Sequence, residues 1–192
     1  MKRILFVLIL FAAVSTQAQS FRIGLKGGLN VSNFTGGDFG SLKNKAIVAY
    51  HLGTYVNIKV GAISLQPELL ISSQGAKLDS ATGSENWKVT YLAVPVMLKY
   101  RTESGFYVEG GPQVSFKLSE DINNQTIKEF AQNLDLAAGI GAGLQSKSGL
   151  GIGVRYMAGL SKVGDFNSNR INPDFKNGVL QVSLMLGLNS GK

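Results

Sequence analysis

From Phe21 to Leu188 apolar residues take every second position in eight separate runs, and the connections between runs alternate long, short, long, short, long, short, long. A strand sends successive side chains to opposite faces, so each run carries one apolar face and one small-or-polar face. Runs of about ten residues suit tilted strands that cross a hydrocarbon layer. The alternating connections gather short turns at one rim and long loops at the other, as an up-and-down barrel requires. The expectation is an all-β chain: an eight-stranded antiparallel up-and-down transmembrane β-barrel.

The runs cover 21–31, 48–60, 63–74, 91–100, 106–118, 134–145, 150–160 and 180–188. Gly61-Ala62, Thr102 to Gly105 and Lys147 to Gly149 read as tight turns between them. Segments 33–45, 75–88, 119–132 and 161–177 are polar and rich in Gly, Ser, Asn and Asp, and read as the long loops. With an even strand count and a periplasmic N-terminus, these four loops face the outside of the cell.

Alternation alone leaves open which face is inside, because a soluble lipocalin-like carrier turns its apolar face inward. The polar parity decides for the membrane. It is rich in Gly, Ser, Ala and Gln with isolated charges, whereas a water-exposed surface is denser in Lys and Glu. Such a face fits the crowded interior of an eight-stranded barrel. The apolar parity carries no charge, as contact with lipid demands. Tyr100 and Phe106 near the short turns, and Tyr50 and Phe116 toward the long loops, suit aromatic girdles.

Residues 1–18 read as a cleaved signal peptide ahead of a barrel domain over 19–192. Lys2 and Arg3 precede the eleven-residue apolar stretch Ile4 to Val14, and Thr16-Gln17-Ala18 is a small-residue cleavage site. No cysteine is present, which excludes disulfides and thiolate metal sites. The formal charge of +7 is dispersed along the chain without a Lys/Arg cluster, so outer-membrane lipid and lipopolysaccharide are expected partners and nucleic acid is not.

Nine charges share the inward parity: Arg22, Lys26, Lys59, Lys99, Lys117 and Arg155 against Glu68, Glu109 and Asp135. Buried charges need partners because their desolvation is costly, so these residues are expected to form a lumen charge network. Spacing around the 102–105 turn sets Lys99 opposite Tyr107 and diagonal to Glu109. The excess of cations also admits a narrow, anion-preferring passage, although eight strands leave an interior just wide enough for side chains.

His51 is the one histidine, and the Gly61-Ala62 turn places it opposite Ser72, with Tyr55 opposite Glu68. A Ser–His pair is part of a nucleophilic constellation. Glu68, however, lies four residues from Ser72, roughly 13 Å at strand rise, too far to orient the imidazole. His51 therefore reads as lumen packing, with no catalytic residue assigned. Asp38, Asp79, Glu85, Glu120, Asp121, Asp165 and Asp174 are scattered over the loops without Ca²⁺-loop spacing, so no metal is expected. Gly139-Ile140-Gly141-Ala142-Gly143 lies within a strand with no helix after it, so no nucleotide cofactor is expected either.

Four segments taken in order carry a family resemblance: Ile23 to Asn30 (IGLKGGLN), Leu65 to Leu70 (LQPELL), Leu92 to Tyr100 (LAVPVMLKY) and Arg155 to Leu160 (RYMAGL). Together they resemble the PorT-type, "porin family" outer-membrane β-barrels of Bacteroidetes over residues 20–188. The resemblance implies an eight-stranded barrel in the outer membrane, without a fixed activity or site residues. The expected role is structural or surface-interactive and not enzymatic, through the outer loops, 33–45 and 161–177 above all, which could also bind partner proteins. A narrow passage for small solutes is the alternative, and the soluble carrier comes third.

Overall fold

The computed structural model describes residues 20–40, 42–80, 83–122, 131–164 and 172–188; the expected signal peptide lies outside them. Eight strands follow in chain order: β1 (Ser20–Asp38), β2 (Lys43–Val60), β3 (Ile63–Ser80), β4 (Gly83–Arg101), β5 (Phe106–Ile122), β6 (Leu134–Gln145), β7 (Leu150–Gly159) and β8 (Asn172–Leu188). Every neighbouring pair is antiparallel, and β8 pairs with β1 from Ile23↔Leu188 outward, closing the ring. Closure leaves no open seam through the apolar band, the condition for a sheet inside a bilayer, while β5 beyond Phe116 and β8 before Gly178 run on past the ends of β6 and β7.

The apolar parity faces out. Among the described residues 34 large hydrophobic side chains are exposed, Leu29, Leu52, Leu98, Ile140 and Leu184 among them. A water-soluble protein rarely exposes a contiguous apolar patch beyond a few hundred Å². The soluble-carrier alternative is therefore overturned: the apolar residues do not line a cavity. Phe21, Tyr100 and Phe106 ring the band near the short turns, and Tyr50, Phe116 and Tyr156 ring it toward the other rim.

Two of the expected long loops, 33–45 and 75–88, are largely strand, and strand enters the ends of the other two. β1 and β2 extend to Asp38 and from Lys43, β3 and β4 to Ser80 and from Gly83, and β8 begins at Asn172. At 18 to 19 residues, β1 through β4 run about 60 Å at strand rise, well beyond what crossing a bilayer takes. The barrel wall therefore continues past the membrane as an outer third. Register shifts occur between Gly36 and Asp38, Ala46 and His51, and Thr90 and Tyr91, where the wall leaves the apolar band. Bulges of this kind bend a strand and increase its twist.

The three tight turns form as expected, but one sets a different register. Thr102 N–H bonds to Phe106 O at 2.9 Å and Gly105 N–H to Thr102 O at 3.1 Å, leaving a three-residue tip. Lys99 thus pairs directly with Glu109, and Arg101, not Lys99, stands opposite Tyr107. Gly105 makes this possible with φ at +92°, and a Cβ there would lie 2.6 Å from Gln145 O. Gly105→Ala is expected to cost about 1–2 kcal/mol, from the left-handed backbone alone. The urea midpoint in detergent micelles measures it, and an unchanged midpoint would mean the turn relaxes freely.

Candidate functional site

The interior is layered from rim to rim, and its middle layer is ionic. Arg155 on β7 donates from Nη1 and Nη2 to the two oxygens of Glu68 on β3, at 2.9 and 2.7 Å, and from Nε to Glu109 on β5 at 2.7 Å. Lys26 on β1 reaches Glu68 from the other side at 3.0 Å, and Gln66 Nε2 donates to Glu68 Oε1 at 2.8 Å. Lys99 lies 3.4 Å from Glu109 and 3.9 Å above the Tyr107 ring. All five charged side chains are at most 4% exposed. Glycine makes the room: Gly141 stands opposite Arg155, and a Cβ on it would come within 3.1 Å of the Arg155 Cβ.

Five of the nine expected network members therefore meet: Lys26, Glu68, Lys99, Glu109 and Arg155. The other four do not join them. Arg22 and Lys59 lie at the short-turn mouth, with Arg22 Nη2 directed at Lys147 O, 3.4 Å away. Lys117 lies toward the opposite rim, bonded to Ala131 O at 2.6 Å and 3.5 Å from Glu120. Asp135 accepts from the Ser161 hydroxyl at 3.1 Å. Strand parity put all nine inside, but it carries no height along the barrel.

Next to the ionic layer, His51 stands opposite Ser72 in register, as the turn spacing required. Its hydrogen bonds go elsewhere: Nδ1 donates to Asn30 Oδ1 at 2.8 Å, and Nε2 accepts from the Ser183 hydroxyl at 2.9 Å. Ser183, His51 and Asn30 are thus ordered like a nucleophile, base and orienting amide. All three are at most 3% exposed, and Asn30 is further tied to Ser72 and the Ser73 carbonyl.

The outer third reverses the pattern. Phe34, Ala76, Leu78, Trp87, Val89, Tyr91 and Phe175 point inward and pack into one apolar cluster with Ala131 and Val163. Phe34 and Phe175 rings sit 4.4 Å apart, and Trp87 meets Phe175 edge-on at 6.4 Å. Phe39 and Leu42, between β1 and β2, cap the cluster. The lumen is closed twice, by ion pairs in the membrane band and by an aromatic plug beyond it.

Outside the plug the wall is polar. Lys45 and Lys77 stand directly opposite on β2 and β3, a like-charge pair that destabilises a sheet unless something answers it. Asp79 answers in part, 2.6 Å from Lys45 and 3.8 Å from Lys77. The Lys45 hydrogen bond, with Lys77 and Lys43 adding, holds its carboxyl below the usual range. Lys88 on β4 reaches over the Tyr50 ring, 5.8 Å from its centre, at the edge of the apolar band. Lys43, Lys45, Lys77 and Lys88 form a cationic ridge just above the girdle.

The sequence matches the model of the outer membrane protein beta-barrel domain over residues 17–165. The chain belongs to this outer-membrane β-barrel family. Membership places the barrel in the outer membrane, where barrels of this class as a rule turn short connections to the periplasm and long ones outward. No curated protein is significantly similar in sequence. Three solved structures show the similarity of shape. Neisserial surface protein A is 13% identical with a TM-score of 0.49, covering 88% of this chain and 99% of its own. OprG from Pseudomonas aeruginosa is 12% identical at 0.47, over 88% and 97%. The attachment invasion locus protein of Yersinia pestis is 11% identical at 0.43, over 87% and 98%. The ridge lies on the extended wall, beside Tyr50 at the edge of the apolar band.

Proposed function

We propose that this outer-membrane barrel is a non-conducting surface protein that acts through its outer third and takes lipopolysaccharide phosphates as the partner of its lysine ridge. The double closure of the lumen carries the reading. A passage would have to break the Arg155–Glu68–Glu109 cluster and displace the Phe34–Trp87–Phe175 plug in the same opening. The ridge supports the choice of partner, since among the described residues Lys45 opposite Lys77 has only Asp79 as a close carboxylate and the pair calls for further anionic partners. Surface cations near anionic lipid are worth about 1 kcal/mol each. The reading gives no chemistry to the sealed Ser183, His51 and Asn30. Within the family, the four quoted segments favour the PorT-type, porin-family branch of Bacteroidetes, with a signal peptide cleaved after Ala18.

The test combines two measurements on the purified full-length barrel. In planar bilayers the wild type should give no conductance steps. Lipopolysaccharide retained through purification in detergent should fall at least threefold in Lys45→Ser/Lys77→Ser. Regular steps would favour the narrow passage instead, and unchanged retention would remove the ridge from the proposal.

A further inference from the structure

The periplasmic mouth holds cations that neither the sealed lumen nor the outer ridge uses. Arg22 lies at the start of β1, Lys59 one residue before the end of β2, Arg101 at the end of β4, and Lys147 in the β6–β7 turn, so four basic side chains from separate parts of the wall share one opening. They line a cavity of about 570 Å³ and a deeper annex of about 120 Å³, which share Lys59, Arg101 and Gln145. A cavity of this size is typical of sites for small molecules. Among the described residues the one acid on its lining is Glu103, at the exposed tip of the β4–β5 turn. Among the described residues, Lys59, Arg101 and Lys147 have no carboxylate within 4 Å.

These cations do not face lipid. At this rim the outward positions belong to Phe21, Val60, Ile63, Tyr100 and Phe106. The basic side chains share the inward parity or the turn, so whatever they meet arrives from the periplasm. The floor is closed by Gln145, which donates to the Tyr55 hydroxyl at 3.2 Å, and by Lys99, already committed to Glu109. Arg22, Lys59 and Arg101 are half-buried, which strengthens their field and positions their donors. A guanidinium fork matches two oxygens of one phosphate or carboxylate.

We propose that this vestibule is a binding site for a small multivalent oxyanion, phosphorylated or polycarboxylate, which docks at the periplasmic mouth without crossing the barrel. The proposal is independent of the ridge, since it rests on residues at the opposite end of the wall.

Isothermal titration of the full-length barrel in detergent with inorganic pyrophosphate, citrate and chloride tests it. Saturable binding of pyrophosphate or citrate, at least tenfold weaker in Lys59→Gln/Arg101→Gln and weakened by rising salt, is expected. Binding of pyrophosphate alone names phosphate chemistry, and binding of both names a general oxyanion site. Lys147→Gln, on an exposed turn where folding is not at risk, should weaken binding at least threefold. Lys45→Ser/Lys77→Ser should leave it unchanged. No saturable binding of either anion, or equal binding in the vestibule variants and the wild type, overturns the proposal.

Discussion

Arg155→Ala should lower the stability of the barrel by about 3–5 kcal/mol, the cost of breaking a buried ion pair from one side. Arg155 spans two carboxylates, Glu68 and Glu109, and its removal leaves both buried without it. Lys26 still holds Glu68 and Lys99 still holds Glu109, but only one cation then answers each acid and the bidentate fork is gone. Lys99→Met should cost far less, about 1–2 kcal/mol. Glu109 keeps its bond to Arg155, and the loss is one weak ion pair and a cation–π contact. The ordering is the informative part. The urea concentration that abolishes the heat-shifted gel band in detergent reports it for each variant. An Arg155→Ala barrel within about 1 kcal/mol of wild type would mean that water enters the layer and the cluster is not a seal.

The membrane-spanning half of this molecule is legible in the sequence because lipid imposes a strict alternation. Leu92, Val94, Val96, Leu98 and Tyr100 could face only lipid, and the same phase placed Lys99 inside. The outer third is not legible in the same way, for a specific reason. Alternation does not stop at Tyr91; it changes phase. Trp87, Val89 and Tyr91 are apolar at inward positions, while Lys88 and Thr90 face out, so the stretch looks polar and loop-like beside a lipid-facing run. Ala76 and Leu78 repeat the inversion on β3 opposite Lys77 and Asp79. A search for period two in either phase would have found these strands.

The charge network was half legible for a related reason. Parity tells inside from outside but not height, so Arg22, Lys117 and Asp135 looked equivalent to Arg155. Only cross-strand register separates them, and register hung on turns such as the one Gly105 tightens. The same height ordering puts Arg22 and Lys59 in the periplasmic vestibule and leaves the middle of the lumen to the five residues that pair.

Trp87→Ala should cost about 3–5 kcal/mol, as truncating a buried aromatic does, but the loss should stay in the outer third. Trp87 is 1% exposed among Phe34, Val89 and Phe175, and outward neighbours on the same wall are Lys77, Asp79 and Lys88. That part of the wall is built like a soluble barrel, held by apolar side chains packed away from water. The membrane band is held differently, with its apolar residues in lipid and its charges paired inside. Two layers stabilised by different forces can open separately, and the weaker one opens first. A loss of about 3 kcal/mol raises the open population roughly a hundredfold or more. Limited proteolysis of the variant in outer-membrane vesicles should therefore cut the outer hairpins much faster than in wild type, while the remaining barrel keeps its heat-shifted mobility. Trp87→Phe should restore most of the protection, since it refills the plug without the indole. If Trp87→Ala instead abolishes the heat-shifted form altogether, plug and membrane band fold as one cooperative unit, and the outer third cannot act as a separately adjustable surface.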